Sequence, residues 1–425
     1  MKKFTFFLFL FFSVFCFAQN KAVKTAPREY APTHAKQINS ARQNNITVQQ
    51  KPTVYVINNN ASTHRESSPN IALQIHSSAK PFESRPTVIQ EQKEQKPSLQ
   101  KEDSFKQVPL NKEEKPTPPK PNRPTPRPGN YNIVYWTNFI DTQSSKEREW
   151  ATKVLDVKNI SLDGKGVLVA VLDSGIKSHS QFDGANIEIL DITGHNDPFD
   201  FCGHGTAVAG IIVGRSFNDF RGIAPAVNLK SYKIADESGT TNNTYIINAL
   251  DSILEYNRQN TDKISIINIS YGLEQDNAEL RNKLAEAYSS GITIISASGN
   301  DGKEGLLYPA AYDFVFAAGS IDKDKKLSDF SNWGKGLDFV LPGSSLKTLG
   351  LNNDYVWVRG TSFSSAYLTG VAALATQAFK NKNGRLPTPQ ELYEVLQKIS
   401  TPVKTIPLAK QGFGVPDASK IVSYI

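Results

Sequence analysis

From residue 131 onward, short apolar runs alternate with longer amphipathic stretches, and this alternation constrains the fold more than any other feature of the chain. The run VLVAVL at 167–172 carries no polar residue, and 264–269 and 292–295 are dominated by isoleucine. Segments 228–234 and 315–318 repeat the pattern more weakly. A strand without polar alternation has no face to give to water, so it must be covered on both sides. Between the runs, helical periodicity extends over 204–214, 244–257, 277–290, 361–379 and 389–399. Doubly covered strands separated by helices predict an α/β fold, a doubly wound, mostly parallel sheet with helices on both faces. Ligands of such sheets bind beyond the carboxyl ends of the strands, so chemistry is expected in residues that directly follow strands.

The first 130 residues read differently. Lys2 and Lys3 precede an uncharged apolar run over 4–17, and Cys16 and Ala18 supply small residues at positions −3 and −1 of a cleavage site. Residues 1–18 are therefore expected to be a signal peptide, removed on export to the periplasm or the medium. An uncleaved anchor is the alternative, but the run falls short of the roughly 20 residues that a span needs. Residues 19–130 are rich in Gln, Asn, Ser, Lys and Pro, and β-like pieces such as Thr53-Val54-Tyr55-Val56-Ile57 stand alone. Such a segment buries too little apolar surface to offset its ordering entropy, so 19–130 is expected to be a disordered tail or linker. Its end holds seven prolines within 116–128, a composition that favours a stiff polyproline II rod of roughly 40 Å. The folded domain is then expected over 131–425.

Charge follows the same division. The net charge is +7, but 19–130 alone holds 18 Lys+Arg against 9 Asp+Glu, and 131–425 holds 28 against 32. The folded part is acidic and has no basic run, which argues against nucleic acid as a partner. After residue 18 no stretch is apolar enough to span a membrane. With Cys16 in the signal peptide, Cys202 has no internal partner, so the core and not a disulfide must hold the fold.

Four polar residues occupy the predicted strand ends and helix starts. Asp173 directly follows the first apolar strand, where it orients a histidine, binds a ribose or a metal, or simply makes a turn. His204 lies between two glycines ahead of a helix that opens on small residues, a setting that presents an imidazole to a cleft or merely caps the helix. Ser362 precedes the apolar helix LTGVAALATQAF, where backbone N–H groups stabilise an oxyanion or the side chain serves as an N-cap. Asn300, after ITIISA, is an amide donor for a developing negative charge or a turn residue. Each has a dull explanation alone, but a doubly wound sheet would bring all four to one edge.

In order along the chain, the motifs VAVLDSGI, GHGTAVAGII, INISYG, SASGNDG, YPAA and GTSFSSA closely resemble those of the subtilisin (subtilase) family of serine peptidases. The similarity covers residues 148–425, including GFGVPDASKIV, which resembles that family's C-terminal helix. It implies a serine endopeptidase that acts on protein or peptide substrates through an acyl-enzyme. The triad would be Asp173, His204 and Ser362, with Asn300 and the Ser362 N–H as oxyanion donors. Ser238-Gly239-Thr240 and Ser270-Tyr271-Gly272 match the two segments that pair with an extended substrate. Two alternatives use the same site: a non-catalytic peptide-binding pseudopeptidase, and a dedicated processing peptidase or transpeptidase. A nucleotide-binding protein is disfavoured, because no GxGxxG opens a helix after the first strand.

Several positions depart from the family pattern. Ala366 and Tyr367 replace a usual Pro and a common His after the nucleophile; the change is neutral, or it alters partitioning of the acyl-enzyme between water and an amine. Leu307 aligns with the floor of the S1 pocket and predicts small or medium apolar P1 residues. Cys202 is either a small buried residue or a source of thiol sensitivity. The loop between Gly214 and Gly222 lacks the asparagine-rich calcium loop of many relatives, so calcium is not expected there; no cofactor is expected, and structural calcium elsewhere stays open without support from the sequence. The family's folded inhibitory propeptide is not recognisable in 19–130, and a monomer is expected.

Overall fold

In the computed structural model, the described residues are 54–56, 134–135, 139–141, 149–158, 160–215 and 220–425. The expected signal peptide, the proline-rich segment and the rest of 19–130 apart from 54–56 lie outside them. In chain order the strands are β1 (Val54–Val56), β2 (Val134–Tyr135), β3 (Leu168–Asp173), β4 (Asn186–Asp191), β5 (Asn228–Lys233), β6 (Thr240–Thr241), β7 (Ile264–Ile269), β8 (Thr293–Ala297), β9 (Phe316–Ile321), β10 (Phe339–Pro342), β11 (Leu346–Leu349) and β12 (Tyr355–Val358). The longer helices are α1 (Trp150–Val154), α2 (His204–Val213), α3 (Asn243–Gln259), α4 (Ala278–Ser289), α5 (Thr361–Asn383) and α6 (Pro389–Ile399). All five helical stretches and all five apolar runs read from the sequence are present, with ends shifted by a few residues.

The main sheet runs β1-β4-β5-β3-β7-β8-β9-β10. The seven strands from β4 to β10 in that order are parallel. Both neighbours of β3 are parallel to it, with Asp173 opposite Lys233 and Leu172 opposite Ile269. The chain passes from β3 out to β4, comes back to β5 between them, and then crosses to β3's other side with β7, so strand order reverses beside Asp173. That reversal is where a doubly wound sheet opens a crevice.

Every residue of β3 is buried, because the strand faces a core on each side. Val169 and Val171 join the cluster that contains buried residues of α2, α5 and α6, whereas Leu168, Ala170 and Leu172 join the cluster that contains those of α3 and α4. Helix α5 is buried from Thr361 to Gln377, so its first turn is fixed by packing along four turns.

Three features differ from the sequence reading. The β-like piece around Val54 does not stand alone: β1 pairs antiparallel with β4, Val54 opposite Leu190 and Val56 opposite Glu188. An uncovered outer strand is a template for any β-prone segment, and VYV supplies one. Strands β4 and β10 were not legible, since β4 mixes exposed and buried positions and β10 is only four residues long. The closing GFGVPDASKIV forms a short strand, Val415–Pro416, then a 3-10 turn and a single helical turn, Ile421–Tyr424, and not one continuous helix.

Candidate active site

Asp173 ends β3 and His204 begins α2, and the chain between them returns the imidazole to the strand end. His204 Nδ1 lies 2.8 Å from Asp173 Oδ1, with the two residues 2% and 0% exposed. An ionised carboxylate only accepts, so Nδ1 carries the proton and Nε2 is left as a base. The same Asp173 Oδ1 also accepts the Ser174 N–H at 2.8 Å, which fixes the carboxylate's rotation. Two glycines permit this approach. A Cβ on Gly205 would sit 2.2 Å from the Gly175 carbonyl oxygen, and one on Gly175, at φ +102°, would sit 2.5 Å from the Pro198 carbonyl oxygen. Larger residues at either position would push α2 away from β3.

Ser362 is the second residue of α5 and is 7% exposed. The ring of Phe363, next in sequence, lies 5.4 Å from the His204 ring, so the first turn of α5 abuts the imidazole. Asn300, just beyond β8, is tied to the same turn. Its Oδ1 accepts the Thr361 N–H at 2.8 Å and the Thr361 Oγ1–H at 2.9 Å. A backbone N–H must meet an oxygen, so these bonds assign the amide and leave Nδ2 as the group available to a ligand. Thr361, which the sequence reading did not single out, therefore orients the Asn300 amide. Beneath the turn, Ser365 Oγ donates to the Ser362 carbonyl at 2.7 Å, and Ser270 Oγ lies 3.4 Å from Ser365 Oγ.

The remaining sequence candidates line two walls. Ser238 and Gly239 form a tight turn in which Asp236 Oδ1 accepts from Ser238 N–H and Thr240 N–H, both at 2.9 Å. The edge that follows is β6, and it pairs antiparallel with β2. On the other wall, Tyr271 turns its side chain away: its hydroxyl donates to Asn243 Oδ1 of α3 at 2.7 Å, so only its backbone faces a substrate. Leu273 and Tyr308 exchange backbone hydrogen bonds of 2.7 and 2.8 Å, which brings Leu307 against Gly272. A Cβ on Gly272 would lie 2.7 Å from Leu307 Cδ1, and one on Gly299 would lie 2.8 Å from Leu307 Cγ. Leu307 thus fills the space that the two glycines bound.

One neighbour of the site was invisible in the sequence. Phe139 sets its ring edge-on to His204 at 5.2 Å and lies 6.2 Å from Phe363. Its carbonyl accepts the Arg359 N–H at 2.8 Å, and Ile140 bridges Val358 antiparallel. Residues 134–135 therefore pair with β6, and 139–141 lie beside His204 and the strand that leads to Ser362.

A model of the subtilase family of peptidases matches residues 164–414, well over half of the chain. The chain belongs to the subtilase family. It is a serine-type endopeptidase and acts on protein substrates. It is 32% identical over 299 residues to the "Major intracellular serine protease" of Bacillus subtilis (strain 168), covering 66% of this chain and 91% of that protein. It is 33% identical over 223 residues to "Subtilisin Savinase" of Lederbergia lenta, covering 52% and 79%, and 34% identical over 220 residues to "Subtilisin DY" of Bacillus licheniformis, covering 50% and 77%.

In this subtilase, burial pushes the Cys202 thiol well above the ordinary range, and the neighbouring Asp200 charge adds to the effect. The thiolate, which is the reactive form, is correspondingly scarce at neutral pH. Iodoacetamide at pH 7.5 is expected to leave peptidase activity intact over an hour, as followed by residual turnover; inactivation in step with alkylation of Cys202 would overturn this. Ala366 is fully buried within α5 and continues the helix without a break. No group of three or more His, Cys, Asp or Glu side chains is placed to hold a metal ion among the described residues, and loop 216–219 lies outside them. Nor is any helix among them long and apolar enough to cross a membrane.

Proposed function

We propose that the chain is an exported endopeptidase in which Ser362 is the nucleophile, His204 the general base and Asp173 the residue that orients it. The observation that carries the reading is the buried Asp173–His204 contact of 2.8 Å beside the first turn of α5. His204 Nε2 removes the proton from Ser362 Oγ, which attacks the peptide carbonyl carbon. Asn300 Nδ2 and the Ser362 N–H donate to the resulting oxyanion. His204 then passes its proton to the leaving amine, and the acyl-enzyme forms. Water, deprotonated by His204, attacks the ester and releases the second product, restoring the serine. An extended peptide pairs its backbone with β6 on one side and 270–272 on the other.

A fluorophosphonate probe tests the nucleophile. Wild-type enzyme is expected to label and Ser362→Ala is not; absence of Ser362-dependent labelling would defeat the reading. Export rests on the N-terminal pattern, with Gln19 as the expected first residue of the enzyme recovered from periplasm or medium. One relative is named as intracellular, so unprocessed enzyme confined to the cytoplasm would remove the export part alone.

Specificity follows from Leu307. Because its side chain occupies the space between Gly272 and Gly299, the S1 pocket is shallow and suits small or medium apolar P1 residues. Leu307→Gly is expected to raise kcat/KM for Phe at P1, relative to Ala at P1, by roughly tenfold or more, since one or two buried methylenes change discrimination on that scale. Profiling with matched peptide anilides checks it, and an unchanged ratio would exclude Leu307 as the determinant.

A further inference from the structure

Four residues before His204 lies a second carboxylate that the reaction as described does not use. Asp200 is 1% exposed. Its Oδ1 accepts from Ser174 Oγ at 2.9 Å, Cys202 N–H at 3.0 Å and Gly203 N–H at 2.8 Å. Its Oδ2 accepts from Thr206 N–H at 2.9 Å and Thr206 Oγ1–H at 2.7 Å. Three of the five partners are backbone N–H groups, which can only donate and so favour the ionised carboxylate, whereas burial pushes the carboxyl above its ordinary range. Two of the partners extend its reach. Ser174 Oγ accepts the Gly205 N–H at 2.9 Å, and Thr206 Oγ1 accepts the Lys177 N–H at 2.9 Å.

The pattern of these contacts is specific. Ser174 follows Asp173, and Gly203 and Gly205 flank His204. Asp200 therefore holds the Ser174 hydroxyl beside Asp173 and the Gly203 backbone beside His204, while touching neither catalytic candidate's side chain through a hydrogen bond of its own. Without it, the Ser174 and Thr206 hydroxyls that bond across from the turn after β3 to the start of α2 would lose the acceptor that fixes their rotation, beside the 2.8 Å contact that has to survive each proton transfer.

We propose that Asp200 is a positioning residue for catalysis: its carboxylate fixes the end of β3 to the start of α2 and sets the aim of the imidazole towards Ser362. A general base held by packing and secondary hydrogen bonds loses little orientation on turnover, and small misplacements are costly in rate. The titratable groups gathered here are Asp173, Asp200 and Cys202, with Lys233 beyond them in the field of Asp191, Asp197 and Asp200. From α5 the imidazole faces Phe363, and from the N-terminal side Phe139, neither of which carries charge.

The test is Asp200→Asn in the full-length enzyme, assayed with a tetrapeptide p-nitroanilide that carries Ala at P1. Asparagine keeps the size but presents an NH2 group to donors that need an acceptor. The expected result is a fall in kcat of roughly tenfold or more with KM within about twofold. A folded variant that keeps wild-type kcat, or that loses kcat/KM only through a rise in KM, overturns the proposal and leaves Asp200 a structural brace. If Asp200→Asn does not fold, Ser174→Ala decides, because it cuts only the arm to Gly205: a lowered kcat at unchanged KM supports the proposal, and wild-type kcat overturns it. The inference rests on the proposed triad, and Ser362-dependent labelling of the wild-type enzyme, measured first, separates failure of that reading from failure of this one.

Discussion

Replacement of His204 by alanine is expected to lower kcat by about a million-fold with KM nearly unchanged, the scale on which the subtilisin triad, the reference case for that figure, loses activity. The magnitude follows from the geometry. His204 Nδ1 is committed to Asp173, its ring is bracketed by Phe139 and Phe363, and no second base occupies that position. Loss of the ring leaves Ser362 with an unactivated hydroxyl. Because the two residues act as a unit, His204→Ala combined with Ser362→Ala is expected to be no worse than either alone. Single-turnover and steady-state assays on an anilide substrate check both statements. A double variant slower than both singles by the product of their effects would mean that the two residues work independently, and the triad would have to be withdrawn.

Substitution at Asn300 has the second-largest expected effect, and its direction depends on which end of the amide is engaged. Thr361 holds Oδ1 with two donors, so Nδ2 is the free end. Asn300→Ala is expected to lower kcat by about a hundred- to a thousand-fold with KM within about twofold, because the lost hydrogen bond belongs to the transition state and not to the bound substrate. Asn300→Asp keeps the acceptor that Thr361 needs but turns a carboxylate oxygen towards the oxyanion. It is expected to be slower than Asn300→Ala. A ranking in which Asp is the more active of the two would mean that the amide donates elsewhere.

These residues were legible because sequence and topology converge on them. Apolar runs such as 167–172 announce doubly covered strands; Asp173 directly follows one, and Asn300 lies in the short turn beyond another. His204 and Ser362 open helices whose small residues allow close packing. What escaped notice has no local signature. Thr361 reads as an ordinary residue at a helix start, and its value lies in an amide 61 positions away. Asp200 lies in a loop, NDPFDFC, where no periodicity separates it from Asp197. Only the fold shows that one carboxylate is buried with five donors around it. Strand β1 escaped for a similar reason: its partner β4 is distant in sequence, and a three-residue segment carries too little pattern to declare a pairing.

The contacts of 134–141 have a consequence for any affinity measured on this enzyme. Val134 and Tyr135 already take up the hydrogen-bonding edge of Thr240–Thr241, and Ile140 already takes up that of Val358. A peptide that pairs with those edges competes with a strand that is covalently attached and never diffuses away. Such a tethered rival acts at an effective concentration on the order of millimolar. If substrate pairs as proposed, its KM is expected to be a ratio of two bindings, one by the substrate and one by the enzyme's own chain, and to report how readily the chain lets go as much as how well the cleft holds on.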